Sequence, residues 1–458
     1  MAYFNREADF YRSTVNATPN ESYEPRQKQN TSPLKEYNTA IQSNSKRSRL
    51  HIWLFVACEI LLGLGLVIYG LSNNLPHRIA REKEIRESGS LETVRGVYTG
   101  ETDFGELDGE GTFTFYSGAV YNGEWNGNDM EGFGELRVPR SGVYSGEFLN
   151  SQKNGRGTYE WDDGTVYDGE WEADQMSGQG TYVTSGGTTY KGTFAENAFI
   201  DGDCTFKNNT GIYRISFKKG MPDEAEIVFK NGSYYIGKCS QTSLEGNGEL
   251  VFATGDRYTG AFDDGVRSGS GVYVWTTGDS YDGEWSRDRM SGTGTYTFAN
   301  GSKLYGQFDA NTFVSGTYDM SNEFGSYSFS IRNGKPYGVK IELPDGSSYN
   351  GDMDENGLNG DAQIHYSNGD KYDGKVSDGQ KEGVGTYTWA SGASYNGSWA
   401  EDQMNGRGTY FYPSNEDGYK LVGEFIGGLP NGECDYYVTP SVSYSTTWYY
   451  GTCIKVTE

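Results

Sequence analysis

From Tyr98 onward, the chain repeats one short pattern of glycine and aromatic residues. In most copies an aromatic residue or leucine is followed two positions later by Gly, and copies start 23 residues apart, with two intervals of 22 and a last one of 26. Nine copies also carry a Gly-x-Gly that begins eleven residues after the start. Such a fixed register predicts a repeat architecture. The copies start at Tyr98, Tyr121, Tyr144, Tyr167, Tyr190, Tyr213, Tyr235, Tyr258, Tyr281, Leu304, Tyr327, Tyr349, Tyr372, Tyr395 and Leu421.

Each copy predicts two short β-strands. Counted from the start of a copy, aromatic and Gly residues occupy positions 0, 2 and 4 and then 11, 13, 15 and 17, so they recur with a period of two. This is the period of a strand with one buried face. The polar stretch between the two sets predicts a turn. Gly at position 20, as in Gly118, Gly164, Gly278 and Gly392, predicts the return turn to the next copy.

The many glycines in these strands need a compensation, because Gly normally weakens a strand. The chain contains 66 Gly, 37 Tyr and 22 Phe, and the repeat places large rings beside the glycines. We therefore expect Tyr and Trp to lie over the bare backbone of a neighbouring strand. The predicted fold class is mainly β: an elongated single-layer array of about 15 antiparallel β-hairpin repeats, in which each hairpin chiefly contacts its neighbours.

The copies resemble the MORN (membrane occupation and recognition nexus) repeat family, whose 23-residue unit is close to Y-x-G-x-W/F followed by G-x-G-x-Y/F. Well-formed copies read YNGEWNGNDMEGFGELRVPRSGV and YDGEWSRDRMSGTGTYTFANGSK, and the resemblance covers roughly Tyr98 to Tyr436. It implies twisted arrays of β-hairpins that act as scaffolds for protein association and, in some members, are proposed to contact membrane lipids. The candidate interaction surface consists of the aromatic residues Tyr121, Trp125, Tyr144, Tyr167, Trp171, Tyr281, Trp285, Tyr395 and Trp399.

Four copies depart from the pattern. The copy at Tyr213 has Ile215 in place of the first Gly, and the copy at Tyr327 has Phe329 there. The copy at Leu304 shifts its later Gly to position 316, and the copy at Tyr349 has Ala at position 362. The packing of Gly against a ring therefore cannot hold unchanged in these copies. Two interpretations stay open, a bend or special contact on the one hand and ordinary repeat decay on the other.

Residues 52–71 form a second distinct feature, a run of 20 residues with a single ionisable side chain. A helix of this length spans roughly 30 Å, the thickness of the hydrocarbon core of a bilayer. We therefore predict an uncleaved, single-pass transmembrane helix. The predicted organisation is a disordered tail at 1–50, the helix at 52–71, a linker or stalk at 72–96, the repeat array at 97–436 and capping strands at 437–458.

The orientation of this helix follows from the basic residues that flank it, since Lys and Arg tend to stay cytoplasmic. Lys46, Arg47 and Arg49 crowd its N-terminal end, whereas the basic residues on the other side begin at Arg78. The pattern favours a cytoplasmic N-terminus and an extracytoplasmic repeat domain.

Glu59 lies within the predicted span, where an ionisable group is costly and usually faces protein or water. On a helix it shares one stripe with Gly63, Leu66 and Gly70. Small residues let helices approach closely, and a protonated carboxyl can donate a hydrogen bond across the contact. The span is thus predicted to pair with itself or with another membrane protein through Glu59, Gly63 and Gly70. The alternative is that Glu59 is simply tolerated, protonated or near an interface.

Composition excludes several classes of function. A net charge of −25 argues against nucleic acid, whose affinity comes from Lys and Arg, and against anionic lipid as a partner of the repeat domain. His365 is the only His of the repeats, so His-based catalytic and metal sites lack material. We expect no enzymatic activity, no cofactor and no metal site. Cys434 and Cys453 leave a disulfide undecided.

Two functions remain. The first is a membrane-anchored scaffold that binds an unidentified protein or a second copy of itself. The second is a surface module that stacks a glycan, or another ligand, on exposed aromatic rows.

Overall fold

The structure, a computed structural model, describes residues 75–414 and 419–457. The predicted tail, the predicted span at 52–71 and its residues Glu59, Gly63 and Gly70 lie outside this part of the chain. Within it, no helix is both long enough and apolar enough to cross a membrane. Helix α1 (Leu75–Ser88) lies in the segment predicted as a stalk. The helix is followed by Gly89, which has a φ of 76°.

The chain divides into two compact units, with the boundary between Val266 and Arg267. The described part of the N-terminal unit contains α1 and sixteen strands. They are β1 (Leu91–Glu92), β2 (Gly96–Asp103), β3 (Glu106–Phe115), β4 (Val120–Asn126), β5 (Asp129–Val138), β6 (Gly142–Leu149), β7 (Gln152–Trp161), β8 (Val166–Glu172), β9 (Gln175–Val183), β10 (Thr189–Ala195), β11 (Ala198–Lys207), β12 (Gly211–Lys218), β13 (Met221–Phe229), β14 (Tyr234–Cys239), β15 (Leu244–Val251) and β16 (Arg257–Asp263).

The C-terminal unit contains the other seventeen strands of the described chain, although the first residue of β17 belongs to the N-terminal unit. They are β17 (Val266–Val274), β18 (Ser280–Ser286), β19 (Arg289–Thr297), β20 (Lys303–Asp309), β21 (Thr312–Asn322), β22 (Gly325–Arg332), β23 (Lys335–Glu342), β24 (Ser348–Asp352), β25 (Gly360–His365), β26 (Lys371–Ser377), β27 (Gln380–Thr388), β28 (Ser394–Ala400), β29 (Gln403–Phe411), β30 (Lys420–Ile426), β31 (Leu429–Thr439), β32 (Val442–Tyr449) and β33 (Thr452–Thr457).

Within each unit, consecutive strands pair antiparallel and make the main contacts between elements. The strands from β2 to β31 give one hairpin for each of the fifteen copies in the sequence. The predicted mainly β fold of antiparallel hairpin repeats is therefore confirmed. The segment at 437–458, predicted to cap the array, holds the end of β31 together with β32 and β33.

Two-residue turns join the strands within many hairpins. In the second hairpin, Gly127 and Asn128 have φ angles of 59° and 80°, and in the fourth, Ala173 and Asp174 have φ angles of 47° and 66°. Two successive positive φ angles define the type I′ turn, whose twist matches that of paired strands. The strands therefore run to within two residues of each other. The turn is shorter than the polar stretch that predicted it.

Paired glycines let a tyrosine ring lie on the sheet. Gly123 and Gly134 lie opposite each other on β4 and β5. A Cβ atom at Gly134 would lie 2.4 Å from Oη of Tyr121, and one at Gly123 would lie 2.4 Å from Cα of Gly134. The same arrangement recurs around Tyr144, Tyr167 and other copies. The predicted covering of bare backbone by aromatic rings is confirmed.

In two of the departing copies, apolar side chains replace the packing of Gly against a ring. Ile215 lies opposite Cys204 and Ala225, and all three are buried. Phe329 lies opposite Tyr318, with ring centroids 6.0 Å apart.

The other two departures keep close backbone pairing. Gly316 lies opposite Gly306 within its hairpin, so the shifted glycine restores a Gly pair in a different register. Ala362 lies opposite Gly351 and is buried.

Candidate interaction surface

The inner face of the array is a ladder of edge-to-face aromatic contacts. Tyr121 contacts Trp125 of its own copy and Phe148 of the next copy, each with ring centroids 5.1 Å apart. Tyr144 in turn contacts Phe148 at 5.1 Å and Trp171 at 5.4 Å, with interplanar angles of 90° and 83°. Edge-to-face pairs of this kind add to the stabilisation that comes from burial. Each ring at position 4 thus links its own copy to the one before it.

Hydrogen bonds fix the polar atoms of these rings to the backbone. The hydroxyl of Tyr121 donates to the carbonyl of Glu124 at 2.9 Å. The indole Nε1 of Trp171 donates to the carbonyl of Gly157 in the preceding copy at 3.0 Å. Buried polar groups with such partners are well tolerated. The rings therefore use both their apolar and their polar atoms within the fold.

The nine aromatic residues named from the sequence all lie in this core. Their relative exposure does not exceed 5%. Contact of these rings with a partner or a glycan stays a prediction, but the structure places them where other rings cover them. They are Tyr121, Trp125, Tyr144, Tyr167, Trp171, Tyr281, Trp285, Tyr395 and Trp399.

Burial also changes the acidity of the tyrosines. Desolvation, and then the negative charge of Glu284, raises the pKa of Tyr281 to about 12. Desolvation, and then the charge of Glu424, raises the pKa of Tyr395 to about 12. Burial likewise raises the pKa of Tyr121. The folded state therefore strongly favours the neutral phenol.

We expect the array to unfold in alkali. Because the folded pKa of these tyrosines lies above the unfolded value of about 10, their contribution to stability is fully present below pH 10 and is lost as the pH rises to about 12. Phenolate absorbance and circular dichroism are measured over the same titration, and the part of the absorbance that comes from the buried tyrosines should appear together with the loss of the β signal. Ionisation of all the tyrosines, including the buried ones, while the β signal stays intact would contradict this prediction.

Three cations lie among the rings, each nine residues after the start of its copy, and two of them, Lys153 and Lys381, are buried. Lys153 is 0% exposed, and its Nζ lies 5.0 Å from the ring centroid of Trp171 and 5.6 Å from that of Tyr159. Asp174, from the next copy, has Oδ1 3.6 Å from Nζ of Lys153 and accepts the Lys153 backbone N–H at 2.9 Å. Cation–π attraction and the carboxylate together stabilise the buried charge. The other two pairs are Arg267 with Asp288 and Lys381 with Asp402, both at 2.9 Å.

Sequence reasoning missed these pairs, although the sequence carries a signal for them. In three copies the position nine residues after the start holds Met, and the residue 21 positions later is Asn or Ser. The pairs are Met130 with Ser151, Met176 with Asn197 and Met290 with Asn311. Where it holds a cation, the residue 21 positions later is Asp. Lys153, Arg267 and Lys381 also lie at equal intervals of 114 residues.

The opposite, outer face of the hairpins is polar and open to solvent. In the N-terminal unit, Thr112 donates to Asn122 at 2.8 Å across β3 and β4. In the C-terminal unit, Asn396 donates to Thr386 at 2.9 Å across β28 and β27. These side chains are not part of the core. The outer face therefore presents polar side chains that the packing of the rings does not use.

A groove of about 470 Å³ lies on this face at β20–β23 of the C-terminal unit. Its lining includes Ser328, which donates to Asp319 at 2.5 Å, and Lys340, which pairs with Glu342 at 2.7 Å. Two of the charged side chains of the groove, Lys340 and Glu342, thus pair with each other.

The described residues contain no cluster of three or more His, Cys, Asp or Glu side chains that could hold a metal ion. Cys204, Cys239, Cys434 and Cys453 are free thiols.

Comparison with protein families gives matches to the MORN repeat. Its family model matches eight segments of the chain, which lie in both units of the structure. The matched residues are 95–120, 121–138, 144–166, 167–189, 258–280, 281–303, 372–394 and 395–416. The departing copies at Tyr213, Leu304, Tyr327 and Tyr349 lie outside these segments.

Comparison with curated proteins gives no match. Among solved structures, the wild-type TCP10 domain of Danio rerio CPAP in complex with a STIL peptide is 11% identical, with 61% of this chain and 98% of that chain covered and a TM-score of 0.20. The SAS-4 (dCPAP) TCP domain of Drosophila melanogaster, in complex with a proline-rich motif of Ana2, is 13% identical, with coverages of 44% and 90% and a TM-score of 0.19. These scores are too low to support a functional argument.

Proposed function

We propose that this protein is a single-pass, membrane-anchored MORN-repeat scaffold that binds other proteins through the outer face of its hairpins. The observation that supports this most directly is that the two faces of the hairpins differ: one is buried by packing and the other is exposed. The aromatic face is buried by packing between copies, and Tyr144 and Trp171, for example, are at most 4% exposed. The outer face carries exposed charged and hydroxyl side chains that the core does not need. The proposal includes no enzymatic activity.

The membrane part of the proposal comes from the sequence. The 20-residue apolar run at 52–71 has the length of a membrane-spanning helix, and the basic cluster before it favours an extracytoplasmic array. In this arrangement Glu59, Gly63 and Gly70 form the contact of the span with itself or with another membrane protein. Protease digestion of intact cells would test the orientation. An array that stays protected until the membrane is permeabilised would contradict it.

A charge-reversal experiment tests the scaffold. Asp168, Asp282 and Asp373 are exposed and lie on the outer face of three well-formed copies. Because binding through this face depends on its charge, we expect changing all three to Lys to remove most proteins that crosslink to the full chain in its native membrane. Quantitative mass spectrometry of the crosslinked proteins provides the measurement.

The matched control places the same charge change at the tips of the hairpins. Glu196, Asp264 and Glu401 are exposed first residues of turns, and Lys219 shows that lysine fits this conformation, with a φ of 53°. Changing these three to Lys should leave the crosslinked proteins in place. Equal loss in both variants, or retention in both, would argue against the outer face as the binding surface.

A further inference from the structure

An apolar row crosses the outer face of the N-terminal unit from β12 to β15. Ile212 lies opposite Val228, Val228 opposite Tyr234, and Tyr234 opposite Val251. Ile212 is 53% exposed and Val228 is 48% exposed, while Tyr234 and Val251 are half-buried. Ile236, which is 44% exposed, extends the patch on the same face. We call the four residues Ile212, Val228, Tyr234 and Val251 the apolar row.

The fold does not require apolar side chains at these positions. Alternation along the strands places Tyr213 and Ile227 on the inner face, where both are buried, so the row lies on the opposite side. The chain contains a direct comparison, because the four equivalent positions lie 114 residues later, in the C-terminal unit. There, consecutive strands pair in the same order with polar residues, namely Ser326, Glu342, Ser348 and His365.

The small size of the apolar patch indicates what kind of partner covers the row. A stable interface between two copies of a protein uses roughly 20–30 residues on each side, whereas this patch offers five apolar side chains. A short segment of a partner fits the patch better than a second copy does. Neighbouring strands lie about 4.8 Å apart, and successive turns of a helix are about 5.4 Å apart. A helix that crosses the strands can therefore place one apolar side chain per turn against the row.

The charged residues beside the apolar row indicate which residues should flank the apolar stripe of that helix. Beside the row, Arg214 pairs with Asp203 at 2.8 Å, and Glu249 pairs with Arg257 at 3.2 Å. Glu226 lies between them in the ladder, opposite Arg214 and Ile236. Among the described residues, Glu226 forms no salt bridge. A basic residue on the partner would therefore give Glu226 a direct salt bridge in addition to the longer-range attraction of Arg214.

We propose that the apolar row is the docking site for a short amphipathic helix of a partner protein, with apolar residues at i, i+4 and i+7 and a Lys or Arg facing Glu226. This inference rests on the scaffold function and names the chemistry of one partner segment. It also gives the departing copy at Tyr213 a role, since β12 and β13 are its two strands. The copy has lost its glycine inside and gained an apolar surface outside.

A designed peptide tests the docking site on the full chain. The probe is a fluorescent peptide of about 14 residues, roughly four helical turns, with Leu at i, i+4, i+7 and i+11 and Lys on the flanks. A scrambled peptide of the same composition lacks the stripe. We expect the striped peptide to bind at least about tenfold more tightly than the scrambled one. We also expect Ile212→Ser with Val228→Glu, which copies the residues of the C-terminal unit, to abolish this difference.

Two controls make the result specific. Val272→Ser with Val384→Ser removes exposed apolar residues from the C-terminal unit and should leave binding unchanged. Glu226→Lys should weaken the Lys-flanked peptide and strengthen a Glu-flanked version of it. The proposal is overturned if stripe and scramble bind equally, or if Ile212→Ser with Val228→Glu leaves binding intact. Crosslinked partners that respond to the Asp168, Asp282 and Asp373 changes would then still support the scaffold.

Discussion

Replacing Gly157 with alanine is expected to destabilise the N-terminal unit by about 3 kcal/mol, at the upper end of the usual cost of overpacking. A Cβ atom at this position would lie 2.3 Å from Oη of Tyr144. The ring cannot move aside, because Phe148 and Trp171 pack against it and its hydroxyl donates to the carbonyl of Glu147 at 2.9 Å. Urea denaturation followed by tryptophan fluorescence would measure the loss.

Two further variants define the cause. Gly146→Ala should cost at least as much, because its Cβ would lie 2.4 Å from Cα of Gly157, and no side-chain rotation relieves a contact with backbone. Arg156→Ala changes an exposed neighbour on the outer face and should stay within about 0.5 kcal/mol. A loss below about 1 kcal/mol in both glycine variants would show that the rings yield more readily than this packing implies.

The repeat made the hairpins and the covering of glycine by tyrosine predictable from sequence. Position within the copy identifies which residues share a face, so Tyr121, Gly123 and Trp125 fall together without any knowledge of the fold. The length of the turns was harder to predict from the sequence. Asp129 and Met130 lie in the polar stretch that predicted the turn. The strand β5 nevertheless begins at Asp129, because the type I′ turn needs only Gly127 and Asn128.

The exposure of the rings could not be read from the pattern. A single layer of strands suggests one open aromatic face, but in several copies the ring at position 4 is covered by the tyrosines of two copies. Trp171, for example, lies between Tyr144 and Tyr167. Periodicity reports which side of a strand a residue occupies, and it does not report how neighbouring copies cover that side. For this reason the proposed binding surface is the outer face, where most side chains are polar.

The cations among the rings escaped prediction for a related reason. Lysine in a polar stretch between two strands is usually solvated, and nothing in one copy distinguishes Lys153 from an exposed residue. Only comparison between copies does so, because Lys153 takes the position that Met130 and Met176 occupy in the adjacent copies. The Asp that accompanies each cation lies in the next copy along the chain. Comparison of equivalent positions in neighbouring copies therefore identifies the cation–Asp pairs, which the pattern within a single copy does not show.

This exchange between cation–Asp and Met–Asn pairs gives the sharpest test of the packing. We expect Asp174→Asn to destabilise the N-terminal unit by about 3–5 kcal/mol, since it leaves the Lys153 charge buried without its carboxylate. The amide oxygen can still accept the Lys153 backbone N–H, as Asn197 accepts that of Met176 at 2.8 Å, so the loss reports charge alone. A urea denaturation midpoint for each variant supplies the measurement.

The double variant then restores a pair that the chain already uses. Lys153→Met with Asp174→Asn reproduces Met176 with Asn197, and we expect its stability to lie within about 1 kcal/mol of the parent, because a well-packed apolar group often replaces a buried ion pair without loss. A double-mutant cycle would give the coupling energy between the two positions. Asp168→Asn, on the exposed outer face, is the control for removing one carboxylate. If Asp174→Asn costs no more than Asp168→Asn, the cation is held by the rings of Tyr159 and Trp171 without help from the carboxylate.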